Sequence, residues 1–135
     1  MEPRRRSGLP AALIVTLALY CLASLLHFAH NAEFAAEYPN LPASLTRGTI
    51  YGAWLGIASI GAVGCLLLWR GYQIAGLAVI ALYAALGFDG LLHYDLAPVS
   101  AHSGMMNFTI WLEVAAAAAL LAVVAARMVR RLRKA

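Results

Sequence analysis

Charge is what this sequence has least of. Asp, Glu, Lys and Arg make up 12% of its 135 residues, while 63% are hydrophobic. Soluble chains run at about a quarter charged and roughly half apolar. A soluble domain of this length has no core large enough to hide so much apolar surface, so the composition points to a membrane. Cysteine is nearly absent too. Cys21 and Cys65 are too few for a disulfide framework. They fall in different apolar runs and at different depths if those runs are antiparallel, so both are read as small buried hydrophobes. There is no Gly-x-Ser-x-Gly nucleophile motif and none of the histidine-rich boxes of membrane desaturases and hydroxylases. The net charge of +4 sits at the chain ends without interleaved aromatics, which excludes a nucleic-acid surface.

What is present is four long apolar runs. They give expected transmembrane helices over 9–31, 48–69, 71–94 and 103–126 within one membrane domain covering 1–135. Each is long enough to cross about 30 Å of hydrocarbon, and none alternates at the period-two rhythm of a barrel strand. The expected fold is therefore all-α, an integral membrane four-helix bundle. Pro39 and Pro42 interrupt the chain between the first two runs. The link Trp69-Arg70-Gly71-Tyr72 is short enough to make the second and third helices an antiparallel hairpin, and a serine cap near Ser100–Ser103 starts the fourth.

Arginine placement gives the orientation. Arg4, Arg5, Arg6, Arg70, Arg127, Arg130, Arg131, Arg133 and Lys134 fall on one side of an even number of spans, leaving Arg47 alone opposite. The positive-inside rule then places both termini in the cytoplasm, with the bacterial inner membrane as the expected location. Three arginines before an apolar stretch also describe a signal peptide. The run is longer than a usual signal core and Tyr20 spoils a lipoprotein-type site before Cys21, so an uncleaved span is expected.

Helix two carries Gly48, Gly52, Gly56 and Gly64 on a four-residue repeat broken by Ile60, widened by Ser59 and Gly61. Small residues let helices approach in lipid, so this seam is expected to face another helix of the chain or a second copy in a homo-oligomer.

The remaining ionisable groups collect at one level. His27 and His30 end helix one, Asp89 and His93 end helix three, and His102 opens helix four, with Glu113 deeper. At about 100° per residue, His27, His30, Asn31 and Phe34 share a face that Thr16, Tyr20 and Ser24 continue inward. Asp89 and His93 stack four apart, and His102, Met106, Thr109 and Glu113 lie within one arc. Glu33, Glu37 and Asp95 are expected in the headgroup region. Facing helices of a bundle build metal sites from such stripes, and ionisable groups in hydrocarbon must pair, line a cavity or bind something.

The expected function is binding of a transition metal, Cu or Zn first and Fe next, by His27, His30, Asp89, His93, His102 and Glu113 at the extracytoplasmic end. Met105 or Met106 would add a soft ligand for Cu(I). Such a protein handles metal or is a metalloenzyme, and an open coordination position facing the lipid bilayer suits a hydrophobic small molecule. The alternatives are a haem b electron-transfer protein with two axial histidines, a proton or substrate path, and an accessory subunit whose polar cluster only packs. Asp89-x-x-x-His93 with the following His102 resembles the Asp/His/His copper site in the C subunit of particulate methane and ammonia monooxygenases, which also sits near the outer ends of transmembrane helices. The His93–His102 gap is shorter than in that pattern, and His27 and His30 have no counterpart there. The resemblance implies copper and no more.

Overall fold

The computed structural model describes residues 9–133. The arginines at 4–6 and Lys134, which carry part of the orientation argument, lie outside the described residues. Among those residues no strand forms, and four helical stretches are long and apolar enough to cross a membrane: Ala11–Glu33, Arg47–Trp69, Gln73–Leu96 and Gly104–Leu132.

α1 spans Ala11–Glu33 and leads through a 3₁₀ turn, Ala35–Glu37, into the proline loop. α2 spans Arg47–Trp69, with the Thr46 side chain accepting from the Thr49 amide at its start. That hydroxyl meets one of the four amides that every helix N-terminus leaves unpaired. Gly71 turns the chain at φ +92°, a conformation that suits a residue without Cβ, and α3 follows over Gln73–Leu86. The third stretch is not one continuous α-helix. It breaks at Gly87, passes through a 3₁₀ turn at Asp89–Leu92 and ends in a short α4, His93–Leu96. A further 3₁₀ turn, Val99–Ala101, precedes α5, Gly104–Leu132, which is capped by Ser103 through the Met106 amide as the serine expectation required. α5 runs six residues beyond the expected end at 126.

α5 packs against α1 and α3, and α2 packs against α3 and α1, so α2 and α5 stand diagonally across the bundle. One half of the core is aliphatic, with Leu13, Leu77, Ile80, Leu120 and Val124 buried around the Tyr20 and Tyr83 rings, whose centroids are 4.6 Å apart. The other half, at the end carrying the α1–α2 loop, sets a cluster of buried polar side chains beside a smaller apolar group of Phe28, Ala32 and Ile50. We call this the upper end.

The glycine seam divides. Cβ atoms built at Gly61 and Gly64 would strike Tyr83 and Ile80 of α3, whereas Gly48, Gly52 and Gly56 meet nothing within 4 Å. Residues four apart on an α-helix precess by about 40°, so a row sixteen residues long ends on nearly the opposite face. The lower glycines seat α3, and the upper ones face away from the chain. Cys21 and Cys65 are half-buried free thiols.

Candidate functional site

Three segments raise polar side chains into the upper core. α1 contributes His27 and Asn31, the 3₁₀–α4 segment His93, and the start of α5 His102, Thr109 and Glu113, all of them buried. They follow one another as successive neighbours. The His102 and His93 ring centroids are 6.1 Å apart, those of His93 and His27 are 5.4 Å apart, and His27 Nε2 lies 3.8 Å from Glu113 Oε2. Gly90 closes over the last pair, since a Cβ there would lie 3.6 Å from both of those atoms. Asp89 is half-buried beside it with its Oδ1 unpartnered.

Neighbouring groups set the tautomers. His102 Nδ1 is 3.1 Å from the Pro98 carbonyl, which can only accept, so Nδ1 carries the hydrogen and the buried Nε2 is a bare lone pair without a partner. Asn107 holds this turn by donating to the Val99 and His102 carbonyls and accepting from the Tyr94 hydroxyl. Thr109 Oγ1 donates to the Met106 carbonyl at 3.1 Å, leaving its lone pairs for His27 Nδ1–H at 3.4 Å. His27 Nε2 therefore turns a lone pair toward Glu113, whose two carboxyl oxygens both lack a hydrogen-bond partner. One and two turns down the same face of α1, the Ser24 and Tyr20 hydroxyls are buried and unpartnered as well. Each such group costs about 1–3 kcal/mol unless something meets it.

His30 stands apart. It is half-buried, lies against the Phe34 ring at 4.7 Å and bonds the Tyr38 hydroxyl through Nδ1 at 2.9 Å. Tyr38 is the residue that sequence reasoning missed. It folds back from the loop and lays its ring on His93 at 4.9 Å, only 3% exposed, and burial pushes its hydroxyl up to about 12. Its position before Pro39 was the one available signal, and that marks a turn without saying where the ring goes. Asn31, placed on the right face by periodicity, bonds His93 Nε2 through its amide nitrogen at 3.1 Å. Met106 is buried with its sulfur taken by the Ser103 amide at 3.4 Å, and Met105 faces outward. Glu33 is exposed, pairs with Arg47 at 2.8 Å and accepts from the Tyr51 hydroxyl. Thr16 bonds the Ala12 carbonyl of its own helix and takes no part in the cluster.

Beside the cluster lies a cavity of about 240 Å³, with His27, Asn31, Asp89 and His93 at its polar end and Phe28, Leu41, Ile50 and Leu92 among its apolar walls. Two imidazoles on one tetrahedral ion at about 2.1 Å hold their centroids roughly 5 Å apart, close to the spacing of His27 and His93. As placed, however, no three His, Cys, Asp or Glu side chains among the described residues converge on one point suited to an ion. Enclosing an ion requires the side chains to turn.

No protein-family model matches the chain, and no curated protein or solved structure matches it. The function must therefore be argued from the residues themselves.

Proposed function

We propose that this chain is an integral membrane protein, both termini cytoplasmic, that holds a transition-metal ion at the upper, extracytoplasmic end of its bundle. His27 Nε2, His93 and Glu113 are the nearest donors. The His102 ring is 6.1 Å from that of His93, and Asp89 lines the same cavity as His27 and His93. The observation that carries the reading is that two of the histidines each set one ring nitrogen against a protein oxygen. Metal-bound histidines usually donate their second ring N–H to a carbonyl or other acceptor, which orients the lone pair on the ligating nitrogen. His102 does this to Pro98 and His27 to Thr109. Imidazole with carboxylate suits Zn, Cu(II) or Fe(II), and the burial of the Met106 sulfur in a cap bond weighs against a Cu(I) site. A haem fits less well. The cavity of about 240 Å³ is below the roughly 300–1,000 Å³ of pockets for drug-sized ligands.

The membrane assignment rests on the four long apolar helices and on basic residues gathered at one end of them. The bacterial inner membrane is the location in keeping with that charge pattern.

A specific observation favours a second reading, a proton relay. His102, His93, His27 and Glu113 are successive neighbours, and the buried Ser24 and Tyr20 hydroxyls follow on the same face of α1. Elemental analysis separates the two. Protein purified in mild detergent carries about one metal ion per chain in the first reading and loses it in His93→Ala. A metal-free protein that also fails to take up added Zn, Cu or Fe sinks that reading and leaves the relay.

A further inference from the structure

The opposite, lower end of the bundle carries charge of one sign. Among the described residues it holds Arg70, Arg127, Arg130, Arg131 and Arg133 and no acidic side chain, and none of these arginines has a carboxylate partner there. Like charges gathered this way repel, and a guanidinium is the side chain best shaped to take two phosphate oxygens at once.

Part of this group is gathered at one junction. The Gln73 side chain donates to the Leu68 carbonyl at 3.2 Å and accepts from Arg131 Nη2 at 3.3 Å. One amide thereby joins the last turn of α2, the first residue of α3 and the end of α5. Arg70 lies two residues past Leu68, with its guanidinium carbon 5.7 Å from the centroid of the Trp69 ring. At about 100° per residue, Arg131 falls roughly 20° from the buried Val124 and Arg127 roughly 60°, so both continue the packing face of α5. Arg130 and Arg133 lie about 120° and about 180° from Val124, on the far side of the helix.

The junction also lies where two spans end. Trp69 closes the second apolar helical stretch and Gln73 opens the third, and the Trp69 and Tyr72 rings are 68% and 63% exposed. Exposed Trp and Tyr at the ends of spans sit at the headgroup level of a bilayer. An anion that meets the arginines at this depth belongs to a lipid. We propose that the α2–α3 turn and the end of α5 bind the phosphate of an anionic phospholipid through Arg70, Arg127 and Arg131, with Trp69 and Tyr72 beside its glycerol. Phosphatidylcholine offers the same phosphate but adds a cation that the arginines repel, so the net charge of the headgroup decides. The site rests on the four helices crossing a membrane. It uses no residue of the upper cluster and does not depend on a metal ion.

The test titrates full-length protein in a neutral detergent with dioleoylphosphatidylglycerol or dioleoylphosphatidylcholine and counts the retained lipids by native mass spectrometry. The wild type is expected to bind the first at least tenfold more tightly than the second. An arginine near an anionic lipid surface is worth about a factor of five in affinity, so Arg70→Gln/Arg131→Gln is expected to weaken phosphatidylglycerol binding by about twenty-five-fold. Arg130→Gln/Arg133→Gln removes the same charge from the far side of α5, and its loss is expected to be at least fivefold smaller. All four side chains are exposed, and circular dichroism checks that both variants keep the helices. Losses in the two double variants within fivefold of each other show diffuse attraction and overturn the site, as does equal binding of the two lipids. Displacement of the bound lipid by millimolar inorganic phosphate overturns the assignment to a lipid. Protein that carries metal but does not prefer phosphatidylglycerol overturns this site alone, and metal-free protein that prefers it overturns only the metal reading.

Discussion

His27 Nε2 lies 3.8 Å from Glu113 Oε2, with the two side chains 3% and 1% exposed. Both atoms face each other as acceptors once Thr109 has taken the Nδ1 hydrogen of His27. Two lone pairs do not attract, and a bare carboxylate in such a place is very costly. Something positive between them, a metal ion or a shared proton, resolves the conflict. Glu113→Gln supplies a neutral amide N–H to the same lone pair. Its thermal midpoint in detergent is expected to change little, by the equivalent of about 1 kcal/mol or less, while bound metal is lost. Glu113→Leu leaves His27 without that donor and is expected to be the less stable of the two. The reverse ranking counts against a positive group at this position.

A second prediction concerns how closely the helices approach. A Cβ at Gly87 would lie 2.5 Å from Tyr20 Cε2 and 2.7 Å from Ala117 Cβ, so α1 and α5 would have to move. Gly87→Ala is expected to cost roughly 1–3 kcal/mol by overpacking. Gly52→Ala meets nothing within 4 Å and gains helix propensity, so its midpoint should hold or rise slightly. Thermal melts of the two variants in one detergent check the pair. Equal losses would mean that the outward glycines are packed against something, a second copy included.

The four long helices were legible in the sequence because apolar run length follows directly from the bilayer as solvent. The stripes on α1 and α5 were legible for a similar reason, since about 100° per residue holds within an unbroken helix. Thus His27 with Asn31, and Met106, Thr109 and Glu113, fall on inward faces as expected. Periodicity fails where the helix does. The break at Gly87 turns the predicted Asp89/His93 stack into a 3₁₀ segment, and Tyr38 arrives from a loop whose path no pattern encodes. His30 shows a further limit. It shares the face by spacing, yet lies near the end of α1, where the loop tyrosine claims it.

Orientation gives a third prediction. With Cys21 and Cys65 replaced by alanine, single cysteines at Glu37→Cys and Arg133→Cys report on the two ends of the bundle. In intact cells or spheroplasts, an impermeant maleimide is expected to label the cysteine at 37 and spare the one at 133 until the membrane is opened. Labelling in the opposite order reverses the topology and moves the polar cluster to the cytoplasmic side.

The loop tyrosine supplies a pH dependence. Burial raises the Tyr38 hydroxyl from 10.0 to about 12, so the folded protein favours its neutral form. The resulting stability is fully present below pH 10 and is lost as pH rises toward about 12, amounting to at most roughly 3 kcal/mol. Below pH 10, Tyr38→Phe forfeits the bond to His30, worth about 1 kcal/mol. The wild type should therefore melt above the variant near neutrality, and its lead should shrink above pH 10. A lead that grows with alkalinity contradicts the buried placement of Tyr38.

The metal reading faces its most direct test in X-ray absorption on the zinc- or copper-loaded protein. It predicts about one ion per chain in a nitrogen and oxygen shell near 2.0–2.1 Å, with the outer-shell scattering of imidazole rings. His30→Ala should leave that spectrum unchanged, and His27→Ala or His93→Ala should abolish it. A folded wild-type protein that retains no ion, or one whose ion is lost only in His30→Ala, would contradict the site described between α1, α4 and α5.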